Sequence, residues 1–188
     1  MLLKQLETYR KIVKLPDGVS VLLRPMTPDD CEALVALFSP ASDEDVRYLH
    51  HDVRDPEVVR AWCDELDLAR VLPLMALVRE RVVGQATLHF RKGPERHIGE
   101  VRIFLAKDYR RRGLGTKMME TLIELARKHD LQSLVAEIVT DQAKLIKAFQ
   151  GLGFEWCCTL EDYFMLPDGD VRDVAILMLR LRTKTGEF

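Results

Sequence analysis

The sequence predicts a single α/β (α+β) domain, a mixed sheet flanked by helices, and three observations carry that reading. Its 188 residues suit one core at roughly 100–200 residues per domain. Residues 98–151 alternate between period-2 and helical apolar spacing in the order strand, helix, strand, helix. On both sides of that stretch lie apolar, β-rich runs, paired across short turn sequences that read as antiparallel hairpins. Residues 1–18 are an accessory segment ahead of one domain spanning 19–188.

In the accessory segment Leu2, Leu3, Leu6, Tyr9 and Ile12 fall near helical spacing, and Pro16-Asp17-Gly18 ends the run in a turn. Val19 to Arg24 reads as a strand, and Thr27-Pro28-Asp29-Asp30 as the cap of a helix over Cys31 to Phe38. Asp43 to His51 is helical, and the pattern resumes after Asp55-Pro56 with Val58, Val59, Trp62, Leu66 and Leu68 on one face. Leu72 to Arg79 and Val82 to Phe90 make a hairpin around Glu80-Arg81. Ile98 to Leu105 alternates, with Val101, Ile103 and Leu105 opposite Glu100, Arg102 and Phe104. Gly115 to His129 is an amphipathic helix, Leu134 to Val139 a short strand, and Asp141 caps a helix that runs to Gly151. Glu155 to Met165 and Val171 to Leu181 close the chain as a hairpin around Pro167-Asp168-Gly169. A strand, helix, strand unit implies a parallel pair with a right-handed crossover, which puts strand C-termini and a helix N-terminus on one edge.

Composition excludes several function classes. Lys plus Arg number 28 and Asp plus Glu 30, so the net charge of −2 creates no global field to hold a polyanion, and nucleic acid is disfavoured. The N-terminal stretch breaks its apolar residues with charge, giving neither a signal-peptide core nor a membrane span, and the expected location is cytoplasmic. Cys31, Cys63, Cys157 and Cys158 form no Cys-x-x-Cys pair and are expected as reduced, mostly buried thiols. His50, His51 and His97 lack metal-ligand spacing, so they are expected in solvent and no metal is assigned. Trp62 and Trp156 are expected in the core.

The densest local charge is Arg110-Arg111-Arg112-Gly113-Leu114-Gly115-Thr116-Lys117, between the alternating strand and the amphipathic helix. Glycines let backbone approach a ligand closely, and the free N–H groups of a first helical turn hold phosphate. The spacing is neither that of a P-loop nor that of a dinucleotide fingerprint, in which Met118 would have to be glycine.

In that setting Arg110-x-x-Gly113-x-Gly115 resembles the acyl-CoA pyrophosphate motif of the GCN5-related N-acetyltransferase (GNAT) family. Gly99-Glu100-Val101 and Gly151-Leu152-Gly153-Phe154 fit the family's spacing. In motif the chain looks closest to the bacterial protein-lysine acetyltransferase branch, through Gly99-Glu100-Val101 and Arg24-Pro25-Met26-Thr27-Pro28-Asp29-Asp30. The resemblance implies a mixed, mostly antiparallel twisted sheet with a splayed parallel strand pair. It also implies acetyl-CoA as cosubstrate and transfer of acetyl to a primary amine, of a small molecule or a protein lysine, by direct attack. Backbone amides of Arg110, Arg111, Arg112, Gly113, Leu114, Gly115 and Thr116 would hold the pyrophosphate, with the arginine side chains adding charge. The backbone of Ile103, Phe104 and Leu105 would pair with the pantetheine arm.

Direct attack needs a base for the ammonium proton. Glu100 is the first candidate, on its match to the lysine branch, and Glu137 the second, on its match to ribosomal-protein N-terminal acetyltransferases. His89 is a third without a motif. Gln142 stands where those relatives carry Asn, and Phe149 where many carry a Tyr that protonates the leaving thiolate. Because Phe149 has no proton to give, a non-catalytic acyl-CoA-binding sensor or interaction module is the alternative reading. The expected partner is the amine, with no membrane and with homodimerisation left open.

Overall fold

A computed structural model describes residues 3–181. In chain order the elements are α1 (Leu3–Glu7), β1 (Lys11–Lys14), β2 (Ser20–Pro25), α2 (Cys31–Phe38), α3 (Asp43–Val46), α4 (Pro56–Asp64), β3 (Val71–Val78) and β4 (Arg81–Phe90). They continue with β5 (Ile98–Leu105), α5 (Leu114–Lys128), β6 (Ser133–Val139), α6 (Ala143–Gly151), β7 (Glu155–Met165) and β8 (Val171–Arg180). The strands form one sheet ordered β1-β2-β3-β4-β5-β6-β8-β7, antiparallel throughout except for β5 and β6. This is the mixed, mostly antiparallel sheet with one parallel pair that the resemblance implied.

Both faces of the sheet centre are covered, so β3 buries six consecutive residues instead of alternating. On one face Gly84, Ala86 and Leu88 of β4 lie under α5: a Cβ on Gly84 would come 3.1 Å from the Met118 sulfur. On the other face α2 and α4 cover β4 and β5.

The N-terminal segment departs from its expected helix. Helix α1 ends at Glu7, and Lys11–Lys14 pair with β2 from Lys11↔Leu23 to Lys14↔Ser20. Ile12 is 75% exposed while Val13 is buried, so β-branched residues facing alternate sides prevailed over the helical spacing. Leu2 of the expected helix and residues 182–188 of the expected domain lie outside the described residues. The 43–51 helix is regular only over Asp43–Val46. Asp141 does not cap α6; its carboxylate accepts from Arg172 Nε at 3.1 Å and Tyr48 Oη at 3.4 Å.

The cysteines also differ from expectation. Cys31 and Cys63 form a disulfide that ties α2 to α4, their Cα atoms 5.8 Å apart across 32 residues of sequence. No local spacing shows that pairing, because it depends on the two helices packing together. Cys157 and Cys158 are exposed on β7, the outermost strand, and Trp156 beside them is 45% exposed rather than in the core.

The turn from β2 into α2 is locked by charge. Arg24 donates two hydrogen bonds of 2.6 Å to the Asp30 carboxylate, which also accepts from the Thr27 amide at 2.8 Å and hydroxyl at 2.9 Å. Burial pushes the Asp30 carboxyl up, but Arg24 and Thr27 outweigh it and hold it below the usual range. Removing one partner of a buried pair leaves the other uncompensated, at about 3–5 kcal/mol. Asp30→Ala is therefore expected to lower Tm by roughly 10 °C, at about 2–4 °C per kcal/mol for this chain length. A thermal melt within about 2 °C of wild type would show the pair to be dispensable.

Candidate active site

The loop from β5 into α5 passes through two left-handed residues, Arg111 at φ 59° and Gly113 at φ 82°. A Cβ on Gly113 would sit 3.2 Å from Pro16 Cδ, so conformation and space both call for glycine there. Gly113 is the N-cap of α5, and no side chain caps the first turn. The amides of 114–116 therefore have no intrahelical acceptor and, with the helix dipole, form an anion cradle. A Cβ on Gly115 would be 3.4 Å from Leu105 Cδ1 and 3.7 Å from Ile103 Cδ1, which seats the start of α5 on the end of β5.

Most of the loop's charge is already engaged. Arg110 donates to the Leu105 carbonyl at 3.0 Å, pairs with Asp45 and lies 5.6 Å over the Phe104 ring. Asp45 is pushed up by burial, but Arg110 and the Ser42 amide and hydroxyl overcome this and bring its carboxyl down to about 2. Arg112 pairs with Asp17 at 2.7 Å and donates to the Asp108 carbonyl at 3.1 Å. Arg111 is exposed and forms no ion pair among the described residues. The cradle thus offers an anion its backbone amides and one guanidinium.

Strand β5 stays paired with β4 to Gly84↔Leu105, but with β6 only from Ile98↔Ser133 to Glu100↔Val135. Beyond that point β6 follows β8 to Val139↔Val174. The β5 edge over 101–105 is left without a strand partner on its β6 side, a ready template for an extended ligand. One of its groups, the Leu105 carbonyl, is spent on Arg110.

A cavity of about 300 Å³ lies between the sheet and α2 and α4. Phe38 and Trp62 form an apolar wall, their ring centroids 6.2 Å apart, and Phe38 lies 4.8 Å from Phe104. Gln85, Thr87 and His89 of β4 and Arg102 and Phe104 of β5 make the floor. Beyond His50, which lines both spaces, a smaller pocket is bordered by Tyr48, Glu137, Gln142 and Tyr163. Arg102 holds the Glu100 carboxylate at 2.7 and 2.8 Å. Arg91 reaches across the splay to both Glu100 (3.8 Å) and Glu137 (3.9 Å). Burial, then the nearby Glu100, raises the Glu137 carboxyl against the opposing pull of Arg91 and Arg102. Burial, then Arg102, lowers His89 to about 4, so its ring, 3.0 Å from the Thr87 hydroxyl, is neutral at pH 7.

The structure brings most of the sequence-nominated residues together. Ile103 and Phe104 border the main cavity, Glu137 and Gln142 the smaller one, and Glu100 touches both regions through Arg102 and Arg91. Phe149 stands apart: it is buried in the core with its ring 5.1 Å from Phe154 and borders neither space. His50 and His51 are exposed, as expected, and also line the mouth of the cavity, with His51 5.7 Å from the ring of Trp62, which is half-buried in the cavity wall. They occupy an irregular stretch whose position is set by tertiary packing. The missed floor residues did leave a signal, a period-2 polar stripe of Gln85, Thr87 and His89 inside an apolar strand.

A splayed parallel pair ending beside an uncapped helix with a glycine-bearing loop defines a class of fold, and the sequence profile of the acetyltransferase (GNAT) family matches residues 32–154. The chain belongs to that family. Among curated proteins it is similar to the [ribosomal protein bS18]-alanine N-acetyltransferase of Escherichia coli K12, 34% identical over 71 residues, 38% of this chain and 47% of that one. The match thus spans about half the length of that relative. Among solved structures it resembles a ribosomal-protein-alanine N-acetyltransferase from Brucella melitensis, at TM-score 0.73 and 27% identity over 84% of this chain and 98% of that one. It also shares the fold of yncA, a putative acetyltransferase from Salmonella typhimurium solved with its cofactor acetyl-CoA, at TM-score 0.72 and 21% identity over 88% and 96% of the two chains.

The lowered His89 pKa makes a pH prediction. Between its ordinary 6.5 and about 4, the unfolded chain takes a proton that the folded chain refuses, so stability present above pH 6.5 is lost as pH falls through this window. The slope from one such group is at most about 1.4 kcal/mol per pH unit. His89→Gln, which keeps a partner for Thr87, should flatten the decline in urea-unfolding free energy between roughly pH 6.5 and pH 4.5. Identical slopes for variant and wild type would contradict the assignment.

Proposed function

We propose that the protein transfers an acetyl group from acetyl-CoA to a primary amine by direct attack of the amine. The observation that carries this reading is that one strand, β5, serves both sides. Its splayed edge leads into the anion cradle, and its side chains floor a cavity with carboxylates alongside. The names of the relatives, alanine N-acetyltransferases and a protein solved with acetyl-CoA, support it.

When bound, acetyl-CoA supplies a thioester carbonyl open to attack and a sulfur able to leave. The amides of 111–116, with the Arg111 side chain, hold its pyrophosphate, and the Ile103 backbone, whose groups point to the open side of β5 while those of Phe104 face Gln85 of β4, holds the pantetheine arm. Glu137 takes the proton from the ammonium, because burial and the nearby Glu100 raise its carboxyl above the ordinary carboxylate range, while burial and Arg102 lower His89. Glu100, pinned by Arg102, keeps Glu137 in that state and acts as a positioning residue. Phe149, enclosed in the core, takes no part in proton transfer.

The lysine expectation rests on segments with evident structural work. Arg24 and Asp30 bind each other, and a Cβ on Gly99 would press to 2.6 Å of Leu88 Cδ1 and 2.8 Å of Leu131 Cδ1. Those residues serve packing, so the choice of acceptor falls to the cavity.

Glu137→Gln is expected to lower kcat by about 10²–10⁴-fold with acetyl-CoA affinity unchanged. Glu100→Gln is expected to move the acidic limb of the kcat/KM profile to lower pH, since the charge that raises Glu137 is removed. Full activity in Glu137→Gln would sink the assignment of the base. Acetyl-CoA binding with no coenzyme A release above hydrolysis, across amines and basic peptides, would favour the sensor reading.

A further inference from the structure

The polar stripe on β4 contains one group that the fold itself does not use. Gln85 is only 8% exposed, yet its side chain has no hydrogen-bond partner among the described residues. Strand parity aims it into the cavity, since Gly84 and Ala86 face α5 and the alternate residues 85, 87 and 89 line the floor. Its neighbours cannot satisfy it. The Thr87 hydroxyl is bonded to His89, and across the ladder Gln85 faces Phe104. The Gln85 amide atoms are not sealed off, since the buried side-chain polar atoms without a partner among the described residues are Tyr9 Oη and His129 Nε2; those of Gln85 open into the cavity, where a ligand that pairs both donor and acceptor gains in binding.

We propose that Gln85 is the specificity-determining residue for the acceptor, and that the acceptor is a small amphipathic primary amine bearing an uncharged carboxamide-type group. This rests on the acetyl-transfer reading above. A carboxamide presents a donor and an acceptor side by side, and its complement is another such pair. A carboxylate would leave the Gln85 oxygen facing negative charge, and an ammonium would leave its NH₂ without an acceptor. A lysine arm has only methylenes between its ammonium and its Cα, and its backbone amides lie nearer the ammonium than the roughly 10 Å that separates Glu137 from Gln85. Size and spacing agree. The cavity of about 300 Å³ lies at the small end of ligand sites. Strand β4 lies two strand spacings, at least about 10 Å, from β6 and Glu137. An amine held beside Glu137 thus reaches Gln85 with its far end, its apolar middle lying along Phe38, Trp62 and Phe104.

The test uses phenethylamine, its para-carboxamide, its para-carboxylate and a lysine-containing peptide, titrated calorimetrically into the full chain loaded with coenzyme A, with coenzyme A release from acetyl-CoA measured separately. The para-carboxamide should bind about tenfold tighter than phenethylamine or the carboxylate. Gln85→Leu and the unbranched Gln85→Met should abolish that preference while leaving acetyl-CoA affinity as it was. In turnover the loss should appear in KM and not in kcat. Equal binding of the carboxamide and phenethylamine by wild type overturns the proposal, and this holds even if neither variant folds. So does an unchanged preference in either variant, or faster turnover of the lysine peptide than of the carboxamide. A Gln85-dependent preference in binding with no release of coenzyme A would leave Gln85's role standing and defeat the transfer reading instead.

Discussion

Parallel pairing between β5 and β6 lasts three residues, ending at Glu100↔Val135, and the candidate site depends on its stopping there. Each strand keeps its antiparallel partner, β5 with β4 and β6 with β8, so the sheet opens between them toward its C-terminal edge. That opening leaves main-chain groups of β5 unpaired and places Glu100 and Glu137 on opposite sides of a cleft that Arg91 spans. It also delivers the start of α5, with its uncapped amides, to the same edge, as expected where a parallel unit crosses over.

Arg110 couples this edge to the cavity. A single guanidinium binds the end of β5 through the Leu105 carbonyl, anchors α3 through Asp45 and covers Phe104, whose ring packs on Phe38. The motif arginine that suggests phosphate recognition in sequence is in the structure a tie between the loop before α5 and the cavity wall. Charge is handled similarly in the floor, where Arg102 holds Glu100 and helps keep His89 neutral. The result is a cavity floor in which Arg102, Thr87 and His89 are engaged with protein partners and Gln85 is left open to a ligand.

The order of elements and the place of the site were legible in the sequence, and the side-chain roles were less so. Local signals sufficed for β5, α5 and β6, because period and glycine placement are properties of neighbouring residues. The N-terminal segment fits helical spacing as well as strand, because five apolar residues in twelve can satisfy either period, and pairing with β2 decides it. The Cys31–Cys63 pairing and the gathering of His50, His51 and Trp62 around one cavity depend on helices meeting across long stretches of chain. Ranking Glu137 against Glu100 required knowing that Arg102 occupies one and burial isolates the other. Sequence nominated both carboxylates and could not see those neighbours.

The splayed edge as the cofactor's seat is the central claim, and hydrogen exchange read by mass spectrometry tests it most directly. Amides of 101–105 on β5 and 111–116 in the following loop should exchange more slowly when acetyl-CoA saturates the protein, while the β7 edge is unaffected. Protection confined to other segments, or no protection with acetyl-CoA bound, would contradict the account.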